Sequence, residues 1–202
     1  MEKLTFKTIT SDHETDLFIE KIEHHSGVRL PLNYARSGKI VGVFLQKKLV
    51  AGYMIITKPG FRSLLFVPDK TKISNLFFKE EIFEMMEVNG LWIGPSLKKP
   101  SMQIKVWMHL IKDIFFSRKQ YILLMRSMKN RPMERFLNMV TPNVLYEGPP
   151  SVMSGNKTHD EIQVSYTTRW SLVFNIPKYW IELKNRERRA KLSARQRELA
   201  RT

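Results

Sequence analysis

Two apolar runs, Ile40-Val41-Gly42-Val43-Phe44-Leu45 and Leu49-Val50-Ala51-Gly52-Tyr53-Met54-Ile55-Ile56, are separated by only Gln46-Lys47-Lys48. A polar turn that short makes the two runs lie side by side and antiparallel, so the fold contains a sheet built around this hairpin. The flanking pattern extends it. Leu4 to Ile9 alternates as a first strand, and Asp12 is placed to cap a helix from about His13 to His25 that ends at Gly27. Leu17, Phe18, Ile22 and His25 form its inward stripe. Pro31, Asn33 and Gly38 then mark a loop long enough to border a site.

Further along, Phe61 to Val67 reads as a short strand closed by Pro68, Lys79 to Met86 as a helix, and Val88 to Ile93 as a strand stopping at Gly94-Pro95. From Ser101 to Phe116 the residues Ile104, Trp107, Met108, Ile111, Ile114 and Phe115 recur at helical spacing and predict a central buried helix. Tyr121 to Met125 is a compact apolar strand, and Arg131 to Val140 a helix with Pro132 in its first turn. Asn143 to Tyr146 starts another strand, Pro149 to Asp160 is a polar loop, and Ile162 to Phe174 is strand-rich. The segment from about Tyr179 to Arg201 contains neither Gly nor Pro and favours helix.

At 202 residues and 43% apolar content the chain supports one core of helices packed on a sheet. The absence of cysteine excludes disulfides, thiolate metal sites and thiol catalysis. The charged, alternating start Met1-Glu2-Lys3-Leu4-Thr5-Phe6 lacks the apolar core of a signal peptide, and no window approaches ~18 consecutive apolar residues. A soluble, cytoplasmic protein is the expectation. A formal charge of +15 favours contact with polyanions, whether nucleic acid, an anionic membrane face, an acidic protein or a phosphate-rich ligand. Lys178 to Thr202 supplies +6 of this and the rest of the chain +9. On this basis residues 1–176 form one domain and 177–202 a basic C-terminal helix, with Lys184 to Arg201 as the candidate polyanion contact.

The order strand, helix, loop, hairpin, strand, helix, strand, helix, strand, strand resembles the GCN5-related N-acetyltransferase (GNAT) superfamily across roughly residues 3 to 175. Three stretches carry the resemblance. The hairpin is similar to the superfamily's second and third strands. Leu91-Trp92-Ile93-Gly94-Pro95, leading to the long helix, is similar to its fourth strand and cofactor helix. Leu123-Leu124-Met125-Arg126-Ser127, with Asn130 opening a helix, and then Val144-Leu145-Tyr146-Glu147-Gly148 follow in the same way. The resemblance implies an α/β fold with a mixed, mostly antiparallel sheet flanked by helices, and transfer of an acyl group from a CoA thioester to an amine. It also implies a sheet that splays between the fourth and fifth strands, with the pantetheine arm of acetyl-CoA or another acyl-CoA in the gap. The pyrophosphate would sit at the following helix N-terminus, where free N–H groups and the helix dipole favour an anion.

The superfamily's phosphate loop follows Arg/Gln-x-x-Gly-x-Gly/Ala. Here the stretch is Gly94-Pro95-Ser96-Leu97-Lys98-Lys99-Pro100-Ser101-Met102-Gln103-Ile104-Lys105-Val106-Trp107, with neither glycine, and with Val106 and Trp107 placed to crowd a phosphate. By resemblance the cofactor contacts are Ile93, Lys98, Lys99, Ser101, Gln103, Lys105 and Asn130, the lysines and serine holding the anion by charge and hydroxyl. The family's carboxylate near the fourth strand, which takes the amine proton, corresponds to Glu87. On its residue context alone Glu87 reads more readily as an acid at a strand end in solvent. The family's later tyrosine, which protonates the leaving thiolate, would fall at Leu137, beside Phe136, where no acid stands.

Other motifs carry less. His13, His24 and His25 lack a spaced carboxylate partner, so no metal is expected. His109, between Trp107, Met108 and Leu110, reads as a partly buried, hydrogen-bonded histidine. Ser101, Ser127 and Ser151 lack the nucleophile-elbow context, and Ser154 to Thr158 lacks phosphate-loop spacing. Trp170, Tyr179 and Trp180 either pin the basic helix to the domain or grip a partner with it. Three functions stay open: an acyl-CoA-dependent transferase acting on an amine, a relative taking its acyl group from a carrier protein or aminoacyl-tRNA, and a catalytically inactive binding module recruited to nucleic acid, ribosome or an acidic protein. The discriminating feature is whether a cleft runs between the fourth and fifth strands or is plugged by Trp107 and its neighbours.

Overall fold

A computed structural model describes residues 3–80, 82–128, 137, 139–140, 142–152 and 161–199. The chain enters through strand β1 (Leu4–Ile9), helix α1 (Asp12–Ser26) and the short helix α2 (Leu32–Arg36), then makes the hairpin β2 (Lys39–Leu45) and β3 (Lys48–Ile56). A 3-10 turn (Arg62–Phe66), α3 (Asp69–Ser74), α4 (Phe77–Glu80) and a second 3-10 turn (Ile82–Glu84) lead to β4 (Met85–Ile93) and the long helix α5 (Pro100–Phe116). Strands β5 (Tyr121–Ser127), β6 (Asn143–Gly148) and β7 (Ile162–Thr168) complete the sheet, and α6 (Arg169–Phe174) and α7 (Ile176–Leu199) follow.

The hairpin closes as its length requires. Gln46 and Lys47 both take positive φ, 49° and 66°, the pair of left-handed conformations that matches the twist of the strands they join. From this seed grows one seven-stranded sheet in the order β1-β2-β3-β4-β5-β7-β6. Every pairing is antiparallel but one. β4 and β5 run parallel and bond only through Met85↔Tyr121, Met86↔Ile122 and Glu87↔Leu123.

Adjacent residues of the central strands point to opposite layers, so the sheet is covered on both faces. Phe18, Ile19 and Ile22 of α1 pack with Met54, Ile56, Met85 and Leu123. On the other face Leu110, Ile111 and Ile114 of α5, Leu172 of α6 and Tyr179 of α7 pack with Tyr53, Ile55, Met86 and Ile122. The first turns of α7 are thus part of this layer. Among the described residues no helix is long and apolar enough to cross a membrane.

Local chemistry shifts several expected elements. Ser11, not Asp12, caps α1, accepting from the backbone N–H of Glu14, and Leu17 is exposed while Thr15 joins the buried side. Phe61 to Val67 is no strand: Phe61, Phe66 and Val67 are buried, but the backbone between them turns as a 3-10 helix. The apolar Met85 and Met86, expected in a helix, instead open β4, because each fills a different layer of the core. In α5 the buried set is Met102, Val106, Leu110, Ile111 and Ile114, and Met108 is exposed. Apolar residues also flank the covered stripe, and the sheet decides which of them are buried, leaving Lys105, Met108 and Lys112 outward. The strand expected to run through Phe174 stops at Thr168, whose hydroxyl caps α6. The helix expected from Arg131 to Val140 lies largely outside the described residues, as does Asn130.

β4 also carries a bulge. Gly52 and Met54 of β3 face Trp92 and Asn89, so β4 has one residue more than its partner over this span. Gly90 absorbs it at φ +58°, and a Cβ there would lie 2.5 Å from Ile22 Cδ1. Gly90→Ala is expected to lower stability by about 2 kcal/mol, from the left-handed backbone and the crowded Ile22 together. Urea denaturation of the two proteins measures it.

Candidate active site

Beyond Glu87 and Leu123 the two parallel strands stop bonding, and the chain fills the gap with space rather than side chains. A cavity of about 320 Å³ passes through the sheet at this fork. Its walls within the fork are Val88, Leu91, Ile122 and Leu124. On the α5 side they are Trp107, Leu110, Ile111, Ile114 and Leu172, with Leu137 and Val140. On the α1 side the lining changes character, adding His25, Ser26, Arg62 and Asn89 to Ile22, Leu30 and Phe66. Trp107 therefore borders the slot without plugging it. Val106 is fully buried against Leu4, Val43, Val50 and Met102 and points away from it.

Glu87 marks the vertex. Its side chain is only 2% exposed, so it is not a solvent-facing acid at a strand end. The Tyr34 hydroxyl donates to Oε2 at 2.7 Å and the Arg62 backbone N–H to the same oxygen at 2.8 Å. The Ser63 backbone N–H donates to Oε1 at 2.8 Å, and Asn89 Nδ2 makes a longer contact at 3.4 Å. Asn89 Nδ2 also donates to the Tyr34 oxygen at 3.1 Å, so the three side chains form one network. Burial pushes the Glu87 carboxyl above its ordinary range, against the pull of these donors. Burial and the neighbouring Glu87 likewise hold the Tyr34 proton well above the ordinary tyrosine range. Glu87 itself stands one residue behind the cavity wall, which Val88 and Asn89 form.

The α5 N-terminus is built differently from a glycine loop. Lys99 is the cap residue but makes no side-chain cap bond, and Pro100 occupies the first turn. The N–H groups of Met102 and Gln103 return to the Lys99 carbonyl, and Gln103 Nε2 donates to the Leu97 carbonyl at 2.8 Å. Gln103 thus braces the loop. Lys98, Lys99, Ser101 and Lys105 are exposed around this end. Ile93 is half-buried and packs on the cluster of Leu4, Val43, Leu97, Met102 and Val106. None of these six lines the cavity, whose α5 wall begins at Trp107. Asn130 lies outside the described residues.

The histidines fall in two places. His25 stacks on Trp92 with centroids 5.1 Å apart, and burial lowers its affinity for a proton. His109 bonds the Tyr53 hydroxyl at 2.6 Å and stacks on Phe6, while Tyr53 also donates to Asp113. Among the described residues no group of three or more His, Cys, Asp or Glu is placed to hold a metal ion.

Tyr34, Arg62 and Asn89 were not legible as site residues. Tyr34 sits in what reads as a loop, and Arg62 in what reads as a strand. One signal was available for Asn89: an Asn-Gly pair inside a strand pattern marks a bulge, and bulges re-aim side chains.

A parallel pair that parts midway, with a long helix after the fourth strand, is what the resemblance to the GCN5-related N-acetyltransferases implies, and this chain has that fold. Solved structures similar to it include the N-acyl amino acid synthase FeeM from uncultured soil microbes, with a TM-score of 0.61 and 9% identity over 85% of this chain and 94% of that one. An N-acetyltransferase from Staphylococcus aureus gives 0.57 and 9% over 83% and 99%. A GCN5-related N-acetyltransferase from Brucella melitensis gives 0.56 and 8% over 89% and 82%. At these identities the likeness is one of fold. No family model matches the sequence, and no curated protein matches it.

The Glu87 network makes stability depend on pH with a definite sign. The folded chain keeps the Glu87 proton to higher pH than the unfolded chain does, so this contribution is full below the ordinary carboxylate range and is lost as pH rises through the folded value. Tyr34→Phe removes a donor that opposes the shift. It is expected to cost about 1–3 kcal/mol and to carry the decline to higher pH than in the unmodified chain, read by urea denaturation from acid to alkaline pH.

Proposed function

We propose that the protein is an acyltransferase that moves an acyl group from a CoA thioester to an amine. The observation that carries this is the open fork: β4 and β5 part after Glu87 and leave an apolar passage through the sheet. Past Glu87 the edge of β4 that faced β5 has no strand partner among the described residues. An extended arm bearing amides satisfies such an edge as an added strand would. FeeM, similar in fold, is by name an N-acyl amino acid synthase, and a Bacillus subtilis acetyltransferase of this fold was solved with CoA. Both support the choice of reaction.

In this scheme the thioester carbonyl lies in the fork and the acyl chain in the aliphatic pocket of Trp107, Leu110, Ile111 and Leu172. The amine enters from the α1 side. Its nitrogen attacks the carbonyl carbon, the C–N bond forms and the C–S bond breaks with its electron pair leaving on sulfur. The nitrogen proton passes to Glu87 through the Tyr34 hydroxyl, which donates to that carboxylate. A carboxyl held above its ordinary range is a stronger base than one in solvent. Unpaired N–H groups of β4 supply donors for the developing oxyanion. The thiolate needs no dedicated acid, since a thiol of pKa about 8.5 is taken up by solvent protons, consistent with Leu137 in the pocket wall.

The exposed Lys98, Lys99, Ser101 and Lys105 would hold the anionic end of the donor by charge, since the loop offers no glycine cradle. That same simplification suits a donor with less nucleotide to hold, such as a carrier-protein thioester. Lys184 to Arg201 would then be the polyanion contact.

Thiol release from acetyl-CoA and octanoyl-CoA with a mixed amine acceptor pool tests the proposal. Turnover is expected, and absence of both turnover and binding would sink it. Leu124→Trp should fill the fork and abolish thioester binding. Glu87→Gln should lower kcat roughly 10²–10⁴-fold and remove the acid limb of the pH profile.

A further inference from the structure

The α1-side mouth of the cavity holds a cation that, among the described residues, has no side-chain hydrogen bond at its buried Nη1 and no ion pair. Arg62 lines the cavity, and its Nη1 is fully buried without a hydrogen-bond partner. Among the described residues its guanidinium is in no ion pair. Glu87 attracts the guanidinium through space but does not bond it, because the Arg62 group bonded to that carboxylate is the backbone N–H. Burial accordingly weakens the hold of Arg62 on its proton. A second buried donor, Trp92 Nε1, also lacks a partner, and Trp92 lines the same cavity. Buried donors left unpaired are rare, and a cavity wall carrying two of them is shaped for an acceptor group from outside.

Position separates this anion from the donor's phosphates. Arg62 lies on the α1 face with Tyr34, Glu87 and Asn89, whereas Lys98, Lys99 and Ser101 surround the start of α5 on the opposite face. An anion at Arg62 therefore belongs to the other substrate. Guanidinium presents a planar fork that matches a carboxylate with two parallel bonds.

We propose that the acceptor is an amine that also bears a carboxylate, an amino acid or a close relative, held by Arg62 so that its nitrogen faces the fork. This rests on the acyl-transfer assignment above. The product would be an N-acyl amino acid: acyl chain in the aliphatic pocket, amide at the fork, carboxylate on Arg62. The reaction balances as amine plus thioester giving amide plus thiol, with the carboxylate a spectator that orients.

Product-like probes test this without requiring turnover. Isothermal titration of the full chain with N-octanoylglycine and with its neutral counterpart N-octanoylglycinamide is expected to show the carboxylate binding roughly tenfold tighter or more. Arg62→Gln should erase that preference, so that the two probes bind this variant with equal affinity. Arg62→Lys, which keeps charge and loses the fork, should retain a reduced preference. Equal affinity of the two probes for the natural chain, binding of neither, or a preference that survives Arg62→Gln would each overturn the assignment. The first comparison needs no variant, so misfolding of either one does not shelter it. Thiol release from octanoyl-CoA in the presence of glycine is read separately. Its absence would count against acyl transfer, while the paired titrations would still decide whether a carboxylate sits on Arg62.

Discussion

One carboxylate ties together the parts of the molecule that define the fork. Glu87 gathers the Tyr34 hydroxyl from α2, two backbone N–H groups from the 3-10 turn at Arg62 and Ser63, and the amide of Asn89 from its own strand. It does so at the last residue of β4 that still pairs with β5. A buried carboxylate is tolerated only when its oxygens are satisfied, so these segments are drawn to one point by the cost of leaving any donor off. The same hold sets where Arg62 and Asn89 stand at the cavity wall. Loss of this node would affect packing and the site together.

The cavity divides by chemistry along its length. Its α5 half is aliphatic and aromatic, apt for hydrocarbon, and its α1 half carries the polar groups. A thioester and an amine differ in just this way, one bringing an acyl chain and the other charge. Four cationic or hydroxyl groups, Lys98, Lys99, Ser101 and Lys105, stand exposed outside the cavity at the start of α5. Their loop is braced by Gln103 and has Pro100 in the first helical turn, in place of the glycines that the resemblance led one to expect. Held by lysines on long flexible stems, a phosphate would be bound by charge more than by shape.

Most of the scaffold was legible in the residues. The hairpin from Lys39 to Ile56 follows from its short turn, and Ser101 to Phe116 from its length and apolar content, because both are local signals. Orientation was harder. The buried face of α5 runs through Val106 and Leu110 rather than Met108, since apolar residues fall on both sides of the true stripe and the sheet decides which are covered. Met85 and Met86 looked helical because the segment before them is, and only the two-layered core makes them a strand. Phe61 to Val67 has strand composition but must turn, and that turn delivers the Arg62 and Ser63 N–H groups to Glu87 across more than twenty positions of sequence. Such long-range hydrogen bonds leave no local pattern, which is why Glu87 was visible as a candidate while Tyr34, Arg62 and Asn89 were not.

The central claim is that β4 beyond Glu87 offers an unpaired edge that a thioester's amide-bearing arm completes. Hydrogen exchange read by mass spectrometry over residues 88–93, with and without octanoyl-CoA, measures that edge directly. Those amides facing β5 should exchange faster than the amides of the β2–β3 hairpin in the free chain and gain protection when the ligand is added, while the hairpin stays unchanged. Protection already equal to the hairpin in the free chain, or no response to the ligand, would contradict the account.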